Sequence, residues 1–164
     1  MAQNVKAIPD GYHTITPALI QREAKKAIDF YRKAFGAEVL ASMPSPDGRV
    51  MHAEIKIGDS ILFISDEFPE WSPDTKSPQT TGAVTATLNL YVQDADAAFK
   101  RAVDAGAKPL MPPSDMFWGD RFGKVVDPFG HHWGLATHKE DLTPDQMEKR
   151  KKEWEKQMQQ QKQQ

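Results

Sequence analysis

The stretch Arg49-Val-Met-His-Ala-Glu-Ile-Lys-Ile-Gly58 has the spacing of a second one, Arg121-Phe-Gly-Lys-Val-Val-Asp-Pro-Phe-Gly130, and this echo decides the architecture. Just ahead of each, Asp47-Gly48-Arg49 mirrors Gly119-Asp120-Arg121. Each copy also carries a helical segment that ends in Gly-Ala, at Gly36-Ala37 and Gly106-Ala107. A repeat of this length is too long for a solenoid unit and too short for a full domain, so the two copies are expected to share one core. A cleft on a pseudo-twofold axis between them is the expected product.

Reading outward from the echo, each copy spells β-α-β-β-β. Strand character runs from Gly11 to Leu19, with Pro17 marking an edge or a bend. From Arg22 to Phe35 the apolar positions Ala24, Ala27, Ile28, Tyr31, Ala34 and Phe35 form the stripe of an amphipathic helix, which Gly36 stops. Strands are predicted at Glu38–Met43, Arg49–Ile57 and Ser60–Ser65, the last two joined by a tight turn at Gly58-Asp59. In the second copy the order is a strand at Val84–Val92, a helix from the N-cap Asp94 to Asp104, and strands at Lys108–Met111, Asp120–Val126 and His131–Thr137. Eight strands and two helices make an α+β domain.

Residues 1–142 are expected to form that domain, with a first module at about 11–67, a linker at 68–82 and a second module at about 83–139. Pro69, Pro73 and Pro78 mark the linker, and Met111–Gly119 reads as an irregular loop. Residues 143–164 form a charged, Gln-rich tail. Thr143-Pro144 starts a helix there, whose stripe of Met147, Arg150, Trp154 and Met158 is thin, and Gln157–Gln164 is expected to fray or be disordered.

Composition removes several classes of function. The 164 residues are 39% hydrophobic and suit one domain with appendages. A net charge of -2 supplies no field toward nucleic acid or an anionic membrane, so neither is an expected partner. The absence of Cys excludes disulfides, thiolate nucleophiles and Cys-ligated metals. No stretch approaches the roughly 20 apolar residues of a membrane span. Met1-Ala-Gln-Asn lacks a signal-peptide core, which leads to a soluble cytoplasmic protein as the expectation.

The duplication, Ala27-Ile-Asp-Phe-Tyr-Arg-Lys-Ala-Phe-Gly-Ala37, Pro46-Asp-Gly-Arg-Val-Met-His-Ala-Glu54 and Gly119-Asp-Arg-Phe-Gly-Lys-Val-Val-Asp-Pro-Phe-Gly-His-His-Trp133 together resemble the vicinal oxygen chelate superfamily of glyoxalases, bleomycin resistance proteins and extradiol dioxygenases, most of all its PhnB-like, glyoxalase-like branch. The resemblance spans about Tyr12 to Asp141. It implies a curved eight-stranded cup built from two tandem modules, a homodimer, and in the enzymes a divalent metal held by His or Glu from the first and last strand of each module. Laid on this chain, that pattern falls near Thr16, Leu62, Thr87 and Gly134, none of which is a His or carboxylate. No cofactor is therefore expected, and a metal is not favoured.

Several residues remain as candidates for chemistry. His52 and Glu54 lie two apart and project from one face of a strand, as a base with its orienting carboxylate, as two metal ligands, or as a polar face beside Lys56. His132 and His138 share the face of Gly134, and His13 is the nearest displaced donor. Arg49 and Arg121 occupy equivalent places and can hold an anion bidentately, or each can fix a turn through its neighbour Asp47 or Asp120. Phe117 and Trp118 either meet a ligand or cover the core. The leading function is binding of a small, possibly anionic molecule in the cup through Arg49, His52, Glu54, Trp118, Arg121 and His132. A metal-dependent lyase or dioxygenase with displaced His and Glu ligands comes next, and an interaction role for the C-terminal helix third.

Overall fold

Helix α1 (Ala24–Phe35) forms where Ala24, Ala27, Ile28, Tyr31, Ala34 and Phe35 recur three and four apart, and all six are buried. In the computed structural model, which describes residues 5–161, it follows β1 (Ala18–Gln21) and precedes β2 (Glu38–Pro44), β3 (Val50–Ile57) and β4 (Ser60–Asp66). A short α2 (Pro78–Thr81) lies in the connection. The second copy supplies β5 (Thr87–Tyr91), α3 (Ala95–Asp104), β6 (Lys108–Asp115), β7 (Asp120–Val126) and β8 (His132–His138), and α4 (Pro144–Gln161) follows. The tandem β-α-β-β-β arrangement read from the sequence is therefore present. Its eight strands form two four-stranded sheets of matching order, β1-β4-β3-β2 and β5-β8-β7-β6, each with one parallel pair. The first strand of each module is a sheet edge, so no ladder joins the two sheets among the described residues.

Several boundaries depart from expectation; the first strand of the second copy runs over Thr87–Tyr91 rather than Val84–Val92, and three others have physical reasons. The first strand is not Gly11–Leu19 but Ala18–Gln21. Gly11 turns the chain at φ 85°, and Pro17, which has no N–H, contributes only its carbonyl, accepting from the Phe63 N–H at 2.9 Å. The helix starts at Ala24 rather than Arg22 because its cap comes from another strand: the Asp66 carboxylate accepts from the N–H groups of Ala24 (2.8 Å) and Val50 (2.7 Å). Met111–Gly119 is not a loop throughout, since β6 continues through Pro112 and Pro113 to Asp115. It is an edge strand with two register shifts, the setting in which a sheet tolerates proline.

Both helices pack against each other and against the inner faces of the sheets, and the core is continuous across the copies. Its aromatic centre crosses the module boundary: Phe35 lies 4.6 Å and Tyr31 5.3 Å from Trp133, ring centre to ring centre, and Phe30 meets Phe129 at 6.3 Å. Beneath these rings the buried Asp127 carboxylate accepts from the Tyr31 hydroxyl (2.8 Å), the Trp133 indole N–H (2.9 Å) and the backbone N–H groups of Phe129 and His131 (both 2.9 Å). Burial, and then the adjacent carboxylate, push the Tyr31 hydroxyl well above its ordinary pKa, which keeps it a donor. Two further bonds cross the boundary, the His131 ring to the Ile20 carbonyl at 3.1 Å and Arg101 Nε to the Ala34 carbonyl at 2.7 Å.

The tail helix starts in a reciprocal cap, with Thr143 and Gln146 each accepting from the other's backbone N–H. It docks through Trp154, 5.4 Å from Phe117, and through Arg150 on Glu140. The helix continues through Gln161, over part of the stretch Gln157–Gln164 expected to fray, and 162–164 lie outside the described residues. No helix described is long and apolar enough to cross a membrane.

Replacing Asp127 by Ala strands two buried side-chain donors and two backbone donors at once. Each unsatisfied buried donor costs about 1–3 kcal/mol, so the variant is expected to lose at least about 3 kcal/mol in denaturant unfolding. A loss below about 1 kcal/mol would show that water replaces the carboxylate without penalty.

Candidate functional site

Alternation along β3 separates two faces. Ala53, Ile55 and Ile57 are buried toward the helices, whereas His52, Glu54 and Lys56 are only half-buried on the other, open face. The Gly58-Asp59 turn pairs Ile57 with Ser60, which sets Glu54 opposite Phe63, and Ala18 of β1 opposite Phe63 on its other side. The segment before β1 folds back over this face: Gly11 approaches the Ile61 side chain, and the Tyr12 ring lies 6.1 Å from that of Phe63. Four side chains converge as a result. The Tyr12 hydroxyl donates to Glu54, His52 Nε2 sits 3.3 Å from the other Glu54 oxygen, and the His52 ring meets Phe63 edge-on at 4.8 Å.

The charges in this group are set by those contacts. The hydrogen bond from Tyr12, and secondarily that from His52, holds the Glu54 carboxyl below its ordinary range, and the same bond raises the Tyr12 hydroxyl. Glu54 is therefore an anion at neutral pH, with lone pairs to spare beyond its two partners. Lys56, on the same face, makes no ion pair with it among the described residues. Sequence reasoning missed both Phe63 and Tyr12: the two-residue turn, which fixes the pairing register, could have placed Phe63 opposite Glu54, whereas Tyr12 arrives from outside the sheet and leaves no such signal.

Arg49 and Arg121 are both engaged within the chain. Arg49 binds Asp47 at 2.6 Å and also Glu70, donates to the Glu67 carbonyl at 2.9 Å, and lies 4.0 Å over the Phe68 ring. This fastens the inter-module connection to the start of β3. Arg121 does not use its neighbour Asp120; it forks onto Asp96 at the start of α3 (2.5 and 2.8 Å) and reaches Asp115 on β6 (3.2 Å). The structure does not bring the two guanidinium groups together.

Asp120 instead gathers a second group on the open face of the other sheet. It accepts from the Tyr91 hydroxyl (3.0 Å), the Trp118 indole (3.1 Å) and His138 Nδ1 (2.8 Å), and Asp141 takes the other ring nitrogen of His138 at 3.0 Å. Asp120 first, then Asp141, raise the pKa of His138. Trp118 thus both caps this cluster and packs on Phe117 and Phe122. His132 is half-buried on the same face, paired with Thr87 and Val126 across the sheet. His13 stays on the arm near Trp133.

The donors available to a divalent metal follow from the register. The open-face positions of the first and last strands are Ala18, Ile20, Ile61, Phe63 and Ser65 in one sheet and Thr87, Asn89, Tyr91, His132, Gly134, Ala136 and His138 in the other. Leu62 lies on the buried, helix-side face, and Thr16 precedes β1. At Gly134 a Cβ would come within 2.1 Å of Asn89 Oδ1 and 2.8 Å of the Phe122 ring, so neighbouring side chains occupy the space a ligating residue would need. Among the described residues no three His, Asp or Glu side chains converge as metal ligands. This donor set does not fit a metal held by first- and last-strand residues.

Comparison with known proteins places this fold. The family profile of the Glyoxalase/Bleomycin resistance protein/Dioxygenase superfamily matches residues 13–135. An uncharacterized protein of Mycobacterium bovis is 38% identical over 135 residues, covering 82% of this chain and 89% of the relative. Among solved structures, a Pseudomonas aeruginosa protein superposes with TM-score 0.62 at 26% identity, covering 78% of this chain and 99% of its own. The fold is also that of a PhnB protein from Bacillus cereus, TM-score 0.55 at 21% identity, over 76% of this chain and 99% of that one. On the profile match, the shared module order and the identity to its relatives, the chain belongs to the glyoxalase/bleomycin resistance protein/dioxygenase superfamily.

Proposed function

We propose that the protein binds a small neutral or cationic organic molecule on the open face of the first sheet, at Tyr12, His52, Glu54 and Phe63. The observation that carries this reading is the ionised Glu54, oriented by Tyr12 and His52 beside an aromatic ring. An oriented carboxylate next to a π-face receives a hydrogen-bond donor or a cation. An anionic ligand is less suited, because Arg49 and Arg121 already hold carboxylates of the chain. Binding is favoured over proton abstraction for a related reason: a carboxyl held below its usual pKa is a weak base at neutral pH.

The metal-dependent reading finds little support in donors that do not converge. The tail helix is an equally weak candidate for partner binding, since Trp154 and Arg150 are spent on docking it. A second copy of the chain is the partner we favour. All seven residues of β2 are exposed, and Leu40 (48% exposed), Met43 (58%) and the adjoining Met51 (40%) leave an apolar strip on a sheet edge.

Two measurements test these proposals. Protein-observed NMR with a panel of neutral and cationic aromatic molecules is expected to find binders that shift the methyl resonances of Ala18 and Ile61, which share the open face with Glu54 and Phe63. Glu54→Gln is expected to weaken them by about 1.5–3 kcal/mol, the scale of hydrogen bonds to a charged group. Because the folded carboxyl is depressed, binding should hold as pH falls through its ordinary value near about 4.3 and be lost only at lower pH. Binders indifferent to Glu54→Gln would sink this site. Light scattering should give the mass of two chains, and Leu40→Lys with Met43→Lys should shift it toward one; a native monomer would remove the dimer.

A further inference from the structure

A cleft of about 630 Å³ lies on the other side of the chain's site, where the Gly58-Asp59 turn of the first module faces β5 and α3 of the second. Its floor is core: Phe35, Ile57, Leu90 and Leu135 contribute apolar walls, and Leu135 is fully buried. Ile57, Leu90 and Leu135 belong to the helix-facing side of the sheets, opposite to Glu54 and Phe63, and Phe35 comes from the end of α1. The volume falls in the range of small-molecule pockets, about 300–1,000 Å³. A smaller cavity of about 210 Å³ shares Ser60, Asn89 and Leu90 with it, so the space continues along the free edge of β5.

Two charged side chains line the main cleft, Arg101 and Asp59. Arg101 is fixed by its Nε–H, which donates to the Ala34 carbonyl in the last turn of α1 at 2.7 Å. Its terminal guanidinium nitrogens make no hydrogen bond or ion pair among the described residues, unlike those of Arg49, Arg121 and Arg150. A guanidinium held by one bond with its fork left free presents the geometry that recognises a carboxylate. The Asp59 carboxylate accepts from the Ser60 hydroxyl at 2.9 Å and supplies negative charge at the same rim, which disfavours a second anionic group.

We infer that this inter-module cleft is a second binding site, for a small monocarboxylate with an apolar body, its head on Arg101 and its body against Phe35, Leu90 and Leu135. The site is independent of the open-face reading.

The test uses the full chain with 4-phenylbutanoate and its neutral counterpart 4-phenylbutan-1-ol as probes, followed through the methyl resonances of Leu90 and Leu135. The carboxylate is expected to shift both methyl sets and to bind more tightly than the alcohol. Arg101→Gln should weaken the carboxylate at least about ten-fold and leave the alcohol unchanged, as loss of a charge-assisted contact requires. Equal affinity of the two probes for the native chain, shifts confined to Ala18 and Ile61, an Arg101→Gln variant that binds the carboxylate normally, or no shifts at millimolar probe would each overturn the inference. Should Arg101→Gln fail to fold, the comparison of the two probes on the native chain decides alone.

Discussion

The buried carboxylate of Asp127 is the interaction on which the rest depends. One side chain receives a hydroxyl from the first module, an indole from the second, and two amides of its own turn. An unpaired carboxylate at that depth would be costly, and four donors offset the cost together. Its geometry also fixes where α1 stands relative to β8, because Tyr31 and Trp133 reach it from either side. Gln21 extends the network by donating to the Tyr31 hydroxyl at 3.1 Å, while its side-chain amide oxygen has no partner among the described residues. The modules are thus held by polar geometry at the centre of an aromatic core, rather than by strand pairing between sheets.

Joining the modules through their helix-facing sides has a direct consequence for function. The open faces are left free of helices, and each collects its own carboxylate with its own donors: Glu54 with Tyr12 and His52, Asp120 with Tyr91, Trp118 and His138. No hydrogen bond or ring contact connects these two groups among the described residues. The repeat is therefore symmetric in topology and asymmetric in polar detail. The inter-module cleft arises from the same arrangement, as the space left where two edges meet without pairing.

Local pattern was enough to read much of this. The stripe from Ala24 to Phe35, the Asp94 cap and the two-residue turn at Gly58-Asp59 each state their structure in neighbouring residues, and the structure follows them. What escaped depends on distant partners. Asp66 caps a helix that begins 42 residues earlier, Arg121 chooses Asp96 over the adjacent Asp120, and Tyr12 reaches Glu54 from an arm with no strand pairing of its own. Prolines in β6 misled for a different reason: they argue against a strand only when both of its sides are paired, and edge position is invisible before the sheet order is known.

Gly134 constrains the routes by which this chain can change. The resemblance places an acidic donor near this position, and here Asn89 and Phe122 fill the space a side chain would need. Introducing Glu at 134 alone would meet an aromatic ring before it met any ion. Asn89 is exposed and its amide can swing aside, whereas the Phe122 ring, packed on Trp118, has to be displaced or shortened. A carboxylate at 134 therefore entails repacking Phe122, so that this glycine and that ring are bound to change together.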